Sequence, residues 1–228
     1  VITTVSKINI SELDKIKGLI KGKKIAWQIQ ISGAEGERFD RGCLIDEDEF
    51  YAVGLFIEAL RRKYRTDELP VIGAHDLGYN SCIIRNIHLY DNWEGCQAGV
   101  SVCGIRSNGD VLGCLSINRD DYVEGNIKDR SFYEIWNDKD SFKYNRNFKI
   151  EDAGPNCKNC RHLSNCRGGC LEMSLTITGL PYNDPYCFYR IENKNMWFLK
   201  RKYLEFVSWI YHKRDRTSLK DIFYGFRR

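Results

Sequence analysis

Apolar positions in the first 64 residues switch between a period of two and a period near 3.6. The opening ITTVSKIN is rich in β-branched residues and predicts a strand. Ser11 follows as a helix N-cap, with Leu13, Ile16, Leu19 and Ile20 on one helical face. KIAWQIQIS alternates Trp27, Ile29 and Ile31 against Gln28 and Gln30, which predicts a second strand, and the loop GAEGERFD ends it. Asp46 and Glu49 form a capping-box pattern ahead of a long helix through Phe50, Val53, Ile57, Leu60 and Tyr64. Strand, helix, strand, helix implies parallel strands in an α/β layer. Two such units cannot close a barrel, so either the sheet is tiny or its other strands lie before Val1.

Pro70 and VIGAHDLGYNS break the helical pattern and predict a connector over 71–92. From Cys96 the regular elements become short and irregular, an α+β character. Apolar runs at 100–105 and 111–115 flank SNGD, whose Asn108-Gly109 pair suits a tight hairpin turn. Ser131 with Glu134 caps a short helix, SFYEIWND. Past Cys187 an aromatic, basic helix is expected over 192–213. The pattern divides the chain at 1–70, 71–92, 93–190 and 191–228.

With 228 residues the chain can bury a substantial core. No apolar run approaches the ~20 residues of a membrane span, and no signal pattern opens the chain, which points to the cytoplasm. The start at Val1, inside a strand-like run, is expected to reflect truncation or processing. Formal net charge is +4, but residues 193–228 hold ten Lys/Arg against three Asp/Glu. That basic tail is expected to pack on its own domain rather than bind a membrane or a substrate. No nucleic-acid reader motif accompanies it.

Eight of the ten cysteines fall between Cys96 and Cys187. Cys157, Cys160, Cys166 and Cys170 are spaced C-x2-C-x5-C-x3-C; Cys96, Cys103 and Cys114 precede them and Cys187 follows. A disulfide scaffold would explain the density but belongs to an oxidising compartment. Two structural zinc sites are the stronger rival, since four thiolates suit tetrahedral zinc. Zinc ribbons repeat a CxxC knuckle, whereas only Cys157 and Cys160 form one, so spacing favours iron–sulfur clusters while leaving zinc open.

The run C-x12-G-x4-C from Cys96 through Gly109 to Cys114, followed by C-x2-C-x5-C-x3-C and one later cysteine, resembles the SPASM domain. That domain is the C-terminal extension of many radical S-adenosylmethionine (SAM) enzymes that modify peptides and proteins. RSFYEIWND and CRGGC resemble its linking helix and its glycine-containing ligand turn, where backbone N–H groups can approach cluster sulfurs. The resemblance implies the last strands and helices of a radical SAM partial (β/α) barrel, followed by a SPASM domain with a β-hairpin and short helices around two 4Fe-4S clusters. It implies Cys96, Cys103, Cys114 and Cys170 as ligands of the first cluster and Cys157, Cys160, Cys166 and Cys187 as ligands of the second. With both clusters loaded, the chain would be near neutral overall.

By the same resemblance, the intact enzyme holds a third cluster on a CxxxCxxC loop that binds and cleaves S-adenosylmethionine. That loop is absent from these residues, since Met173 stands where Cys166 and Cys170 would need a third cysteine, so this stretch alone is expected to be inactive. Ser6 and Gln30, on the two strands, are the implied S-adenosylmethionine contacts. A peptide or protein substrate and an electron donor such as flavodoxin or ferredoxin are the implied partners. Anaerobic sulfatase maturases of this family carry an acidic base directly after the third cysteine, whereas Leu115 and Ser116 follow Cys114. A non-catalytic electron-transfer or substrate-presenting module is the alternative of a different class, and a zinc-stabilised interaction domain the next. Cys43 and Cys82 are expected to be ordinary thiols, and His75, His88, His162 and His212 show no ligand spacing.

Overall fold

The structure is a computed structural model that describes residues 1–36, 39–85, 87–89 and 93–194. The expected helix over 192–213, apart from its first three residues, and His212 lie outside the described residues. The chain forms two compact units. One comprises Val1–Ser32, the described residues of 39–93 and those from Tyr186 on; the other comprises 33–36 and Glu94–Pro185.

In the first unit, β1 (Ile2–Val5), β2 (Trp27–Ile31) and β3 (Val71–Gly73) form a parallel sheet in that order. The third strand corrects the expectation that the chain beyond Pro70 is only a connector. Three residues are too few to show a period, and the pairing of Trp27 with Val71 supplies what local pattern does not. Between the strands run α1 (Leu13–Ile20) and α2 (Glu47–Lys63).

Ser11 does not cap α1. It lies in a 3-10 turn, Ile10–Glu12, because Asn9 already closes the end of β1. The Asn9 Oδ1 accepts from Ser6 N–H at 2.9 Å and its Nδ2 donates to Thr4 O at 2.8 Å. The capping box of α2 forms as the sequence predicts, with Asp46 and Glu49 exchanging bonds of 2.9 and 2.8 Å.

One face of the sheet, with Val5, Trp27, Ile29, Ile31 and Val71, is buried, and Trp27 meets Phe56 of α2 edge-on at 6.0 Å. The other face carries Thr4, Gln28 and Gln30 and is only partly covered. On its far side α2 packs against the stretch that starts α7 (188–194): Phe50 stacks on Tyr186 and Phe188 at 4.9 and 4.3 Å. Gly54 is required there, since a Cβ would collide with the Phe188 ring and come 2.9 Å from Ile84. The Glu192 carboxylate closes this packing by accepting from Tyr51 Oη at 3.1 Å and from the Cys82 N–H at 3.1 Å.

The second unit is built on an antiparallel sheet of β4 (Gly104–Ile105), β5 (Asp110–Leu112) and β6 (Val123–Asn126). The expected hairpin is there, shorter than the apolar runs suggest. Gly109 at φ 101° turns the chain, and Asn126 Nδ2 reaches back from β6 to Asp110 Oδ1 at 2.9 Å. Short helices follow: α3 (Phe132–Asn137), with the Ser131/Glu134 capping box in place, α4 (Lys143–Arg146), α5 (Leu163–Cys166) and α6 (Leu171–Met173). No helix among the described residues is long and apolar enough to cross a membrane.

Candidate metal centre

Seven of the eight motif cysteines lie in the second unit, and Cys187 lies in the first, ahead of α7. No disulfide joins any of the ten. Cys96 leaves a left-handed glycine, Gly95 at φ 84°, Cys114 follows β5, and Cys170 caps α6. The N–H groups of Ala98 and Leu171 both point at the Cys96 sulfur, and Cys114 is near enough to repel a second negative charge there. Leu171 is the residue next to Cys170, so Cys96, Cys114 and Cys170 share one neighbourhood. Cys96 and Cys114 pack against the buried Ile117, Leu171, Leu175 and Tyr182. Burial pushes the Cys96 thiol pKa up while the two amides pull it down.

Cys157 and Cys160 form a second group with Ala153, Leu163 and Phe148. Successive turns hold them, Cys157 N–H to Gly154 O and Cys160 N–H to Cys157 O, each 2.9 Å. The N–H of His162 donates to Cys160 Sγ at 3.4 Å, while its ring nitrogen meets Arg161 Nε at 3.2 Å. His162 thus offers Cys160 its backbone N–H. From Cys166 to Cys170 the chain passes through three left-handed residues, Arg167, Gly168 and Gly169 at φ 53°, 80° and 78°. Glycine suits this turn for its φ and for room: Tyr182 Cα lies 2.5 Å from where a Gly168 Cβ would stand. Asp184 Oδ2 accepts the Cys170 N–H at 3.3 Å. Cys103 precedes β4, partly exposed, and belongs to neither packed group.

The first group is held from beneath by α4, which sequence reasoning missed. The buried Asn145 donates through Nδ2 to Cys96 O at 2.6 Å and to Ala98 O at 2.8 Å, and Arg146 Nε donates to Gly99 O at 2.7 Å. Between α4 and Cys114 stands Tyr144, whose hydroxyl is buried without a hydrogen-bond partner. Such a group costs about 1–3 kcal/mol unless something satisfies it. Burial, with Glu124, Cys96 and Cys114 close by, raises the phenol pKa and keeps the proton on. Glu172, two residues past Cys170, is likewise pushed up by burial to about 7. Neither residue carries a spacing signal, so only the packing exposes them.

Ser6 and Gln30 sit on the first unit. The Gln30 Nε2 donates to Thr4 Oγ1 at 2.9 Å on the polar sheet face, and Ser6 Oγ, just past β1, accepts from Ile8 N–H at 3.3 Å. Cys43 ends the 3-10 turn Arg41–Cys43, and Cys82 is exposed.

Among the described residues no group of three or more His, Cys, Asp or Glu side chains is placed to hold a single metal ion. A four-iron core spaces its thiolates more widely than one ion does. The donor set suits such a core: thiols, amide N–H groups aimed at two of their sulfurs, and an orphaned hydroxyl proton beside the Cys96/Cys114 pair.

Comparison with known families fits this chemistry. Residues 96–161 match SPASM, an iron-sulfur cluster-binding domain. The SPASM-matching segment thus begins at Cys96 and takes in Cys103, Cys114, Cys157 and Cys160. Among curated proteins, the AdoMet-dependent heme synthase of Oleidesulfovibrio alaskensis is 31% identical over 103 residues, 44% of this chain and 25% of that protein. That of Methanosarcina barkeri is 31% identical over 98 residues, 42% of this chain and 26% of that protein. The chain therefore spans about a quarter of the length of these relatives. Among solved structures, native anSMEcpe with bound AdoMet and a Kp18Cys peptide shares the fold at TM-score 0.50 and 15% identity, over 91% of this chain and 57% of that one. The resemblance to radical SAM and SPASM proteins read from the cysteines is borne out.

Proposed function

We propose that this chain is the part of a radical SAM enzyme that carries two auxiliary 4Fe-4S clusters. The observation that carries the reading is the SPASM match over residues 96–161, which takes in the packed pair Cys96 and Cys114. In this proposal Cys96, Cys103, Cys114 and Cys170 ligate the first cluster and Cys157, Cys160, Cys166 and Cys187 the second, a set that rests on the motif. Bound clusters supply one-electron transfer, for which full cysteine ligation is suited. The chain's own residues do the positioning. Asn145 and Arg146 fix the Cys96 loop, Asp184 fixes the Cys170 N–H, and the Ala98, Leu171 and His162 amides offset thiolate charge.

Cleavage of S-adenosylmethionine is proposed for the whole protein, since CxxxCxxC does not occur in these residues. The three parallel strands would then belong to its partial barrel, with the polar face of β1 and β2 toward the cofactor and Gln30 and Ser6 as contacts. An electron donor of the flavodoxin or ferredoxin type would serve it. A peptide or protein substrate is supported by the peptide bound in the structure of like fold. A second reading, a haem-forming reaction, is supported by the names of the curated relatives. Binding of a tetrapyrrole by the loaded protein, followed by its Soret absorbance, would favour the second and its absence the first.

The cluster assignment is tested by Cys96→Ala and Cys160→Ala. Each should lower iron and sulfide to about half and remove a different electron paramagnetic resonance (EPR) signal of the reduced protein. Loss of the same signal in both variants would contradict two separate sites.

A further inference from the structure

We propose that Tyr144 is a positioning residue of the first auxiliary cluster, its hydroxyl donating a hydrogen bond to a cluster sulfur or to the thiolate of Cys96 or Cys114, and thereby raising that cluster's reduction potential. The inference rests on the cluster reading above and deepens it.

Tyr144 lies in α4 between two residues that tie this element to the Cys96 loop, Asn145 on Cys96 O and Ala98 O, and Arg146 on Gly99 O. Its ring is wedged edge-on against Tyr122 at 4.9 Å and packs beside the buried Val111, Ile135 and Phe142. The side chain therefore has one place to go, and there its Oη is buried and has no hydrogen-bond partner.

The surroundings name the missing acceptor. Gly113 lacks the Cβ that would collide with this hydroxyl, and a Cβ there would also come 2.8 Å from Gly99 N, so the notch beside Cys114 is shaped to admit Tyr144. The Gly113 amide is itself a donor and leaves the hydroxyl proton unclaimed. Glu124, in the same region, makes no hydrogen bond to this hydroxyl. The remaining groups facing Tyr144 are Cys96 and Cys114. Sulfur ligating iron is an acceptor, and a hydrogen bond to it stabilises the reduced, more negative cluster, which raises the potential.

The test is an EPR-monitored redox titration of the reconstituted full chain. Tyr144→Phe should keep wild-type iron and sulfide while the signal abolished by Cys96→Ala shifts negative by ~59 mV, a tenfold change for one electron. The other cluster should not move. Tyr133→Phe, at a side chain 76% exposed in α3, should move neither. Unchanged potentials in a fully loaded Tyr144→Phe protein would overturn the proposal. Should that variant load poorly, site-specific 3-fluorotyrosine at position 144, a stronger donor of nearly the same size, should raise the same potential, and no shift there would overturn it equally. A wild-type chain that binds no iron or sulfide would instead overturn the cluster reading on which the proposal rests.

Discussion

His88 is buried in the first unit, with Nε2 2.6 Å from the Gly78 carbonyl oxygen and its ring stacked on Trp93 at 5.2 Å. Burial lowers its pKa, as do the neighbouring His75 and Arg61, against the opposing pull of the Gly78 and Gly73 backbone. The unfolded chain then binds this proton more readily than the folded one. The contribution is complete above the unfolded value of about 6.5 and is lost as pH falls below it. The melting temperature should therefore drop from about pH 7.5 to about pH 5.5, and His88→Gln should flatten that drop. An equal slope in the variant would remove His88 from the explanation. The histidine was visible in the sequence as a residue without ligand spacing, and burial gives it a structural role. Tyr144 and Asn145 were not visible at all, because a lone tyrosine or asparagine in FKYNRNF has no period or spacing to mark it.

At the scale of elements, those that announce themselves by local chemistry were legible. The two capping boxes and the Asn108-Gly109 turn stand where the sequence puts them, since each is a bond between residues three apart or a backbone angle that glycine relieves. Elements held by distant partners were not legible. VIG becomes β3 by pairing with β2, and VEGN becomes β6 by pairing with β5 despite a central glycine. Helix α4 is the sharpest case: Phe142 enters it at φ 56°, fully buried, and Asn145 anchors it to the loop that carries Cys96. Asn145→Ala removes two bonds to buried carbonyls and should cost about 1–3 kcal/mol in urea unfolding. Its first-cluster iron should also be released faster to a chelator than from the wild type. A variant as stable and as retentive as the wild type would show that α4 does not hold the site.

For the whole molecule, the cysteine order was the most legible feature, because ligand spacing is a property of sequence, and residues 96–161 match the iron–sulfur domain that order suggested. The sheet of the first unit was legible as α/β but not as to its extent. Its third strand is too short to show a period and forms by pairing with β2. At this scale the proposal to be tested is that eight thiolates hold two four-iron clusters. Iron, zinc and acid-labile sulfide, measured per wild-type chain after anaerobic reconstitution, test it most directly. Two four-iron clusters require about eight irons and eight sulfides with negligible zinc. About four irons or fewer per chain, or zinc in their place, would contradict it.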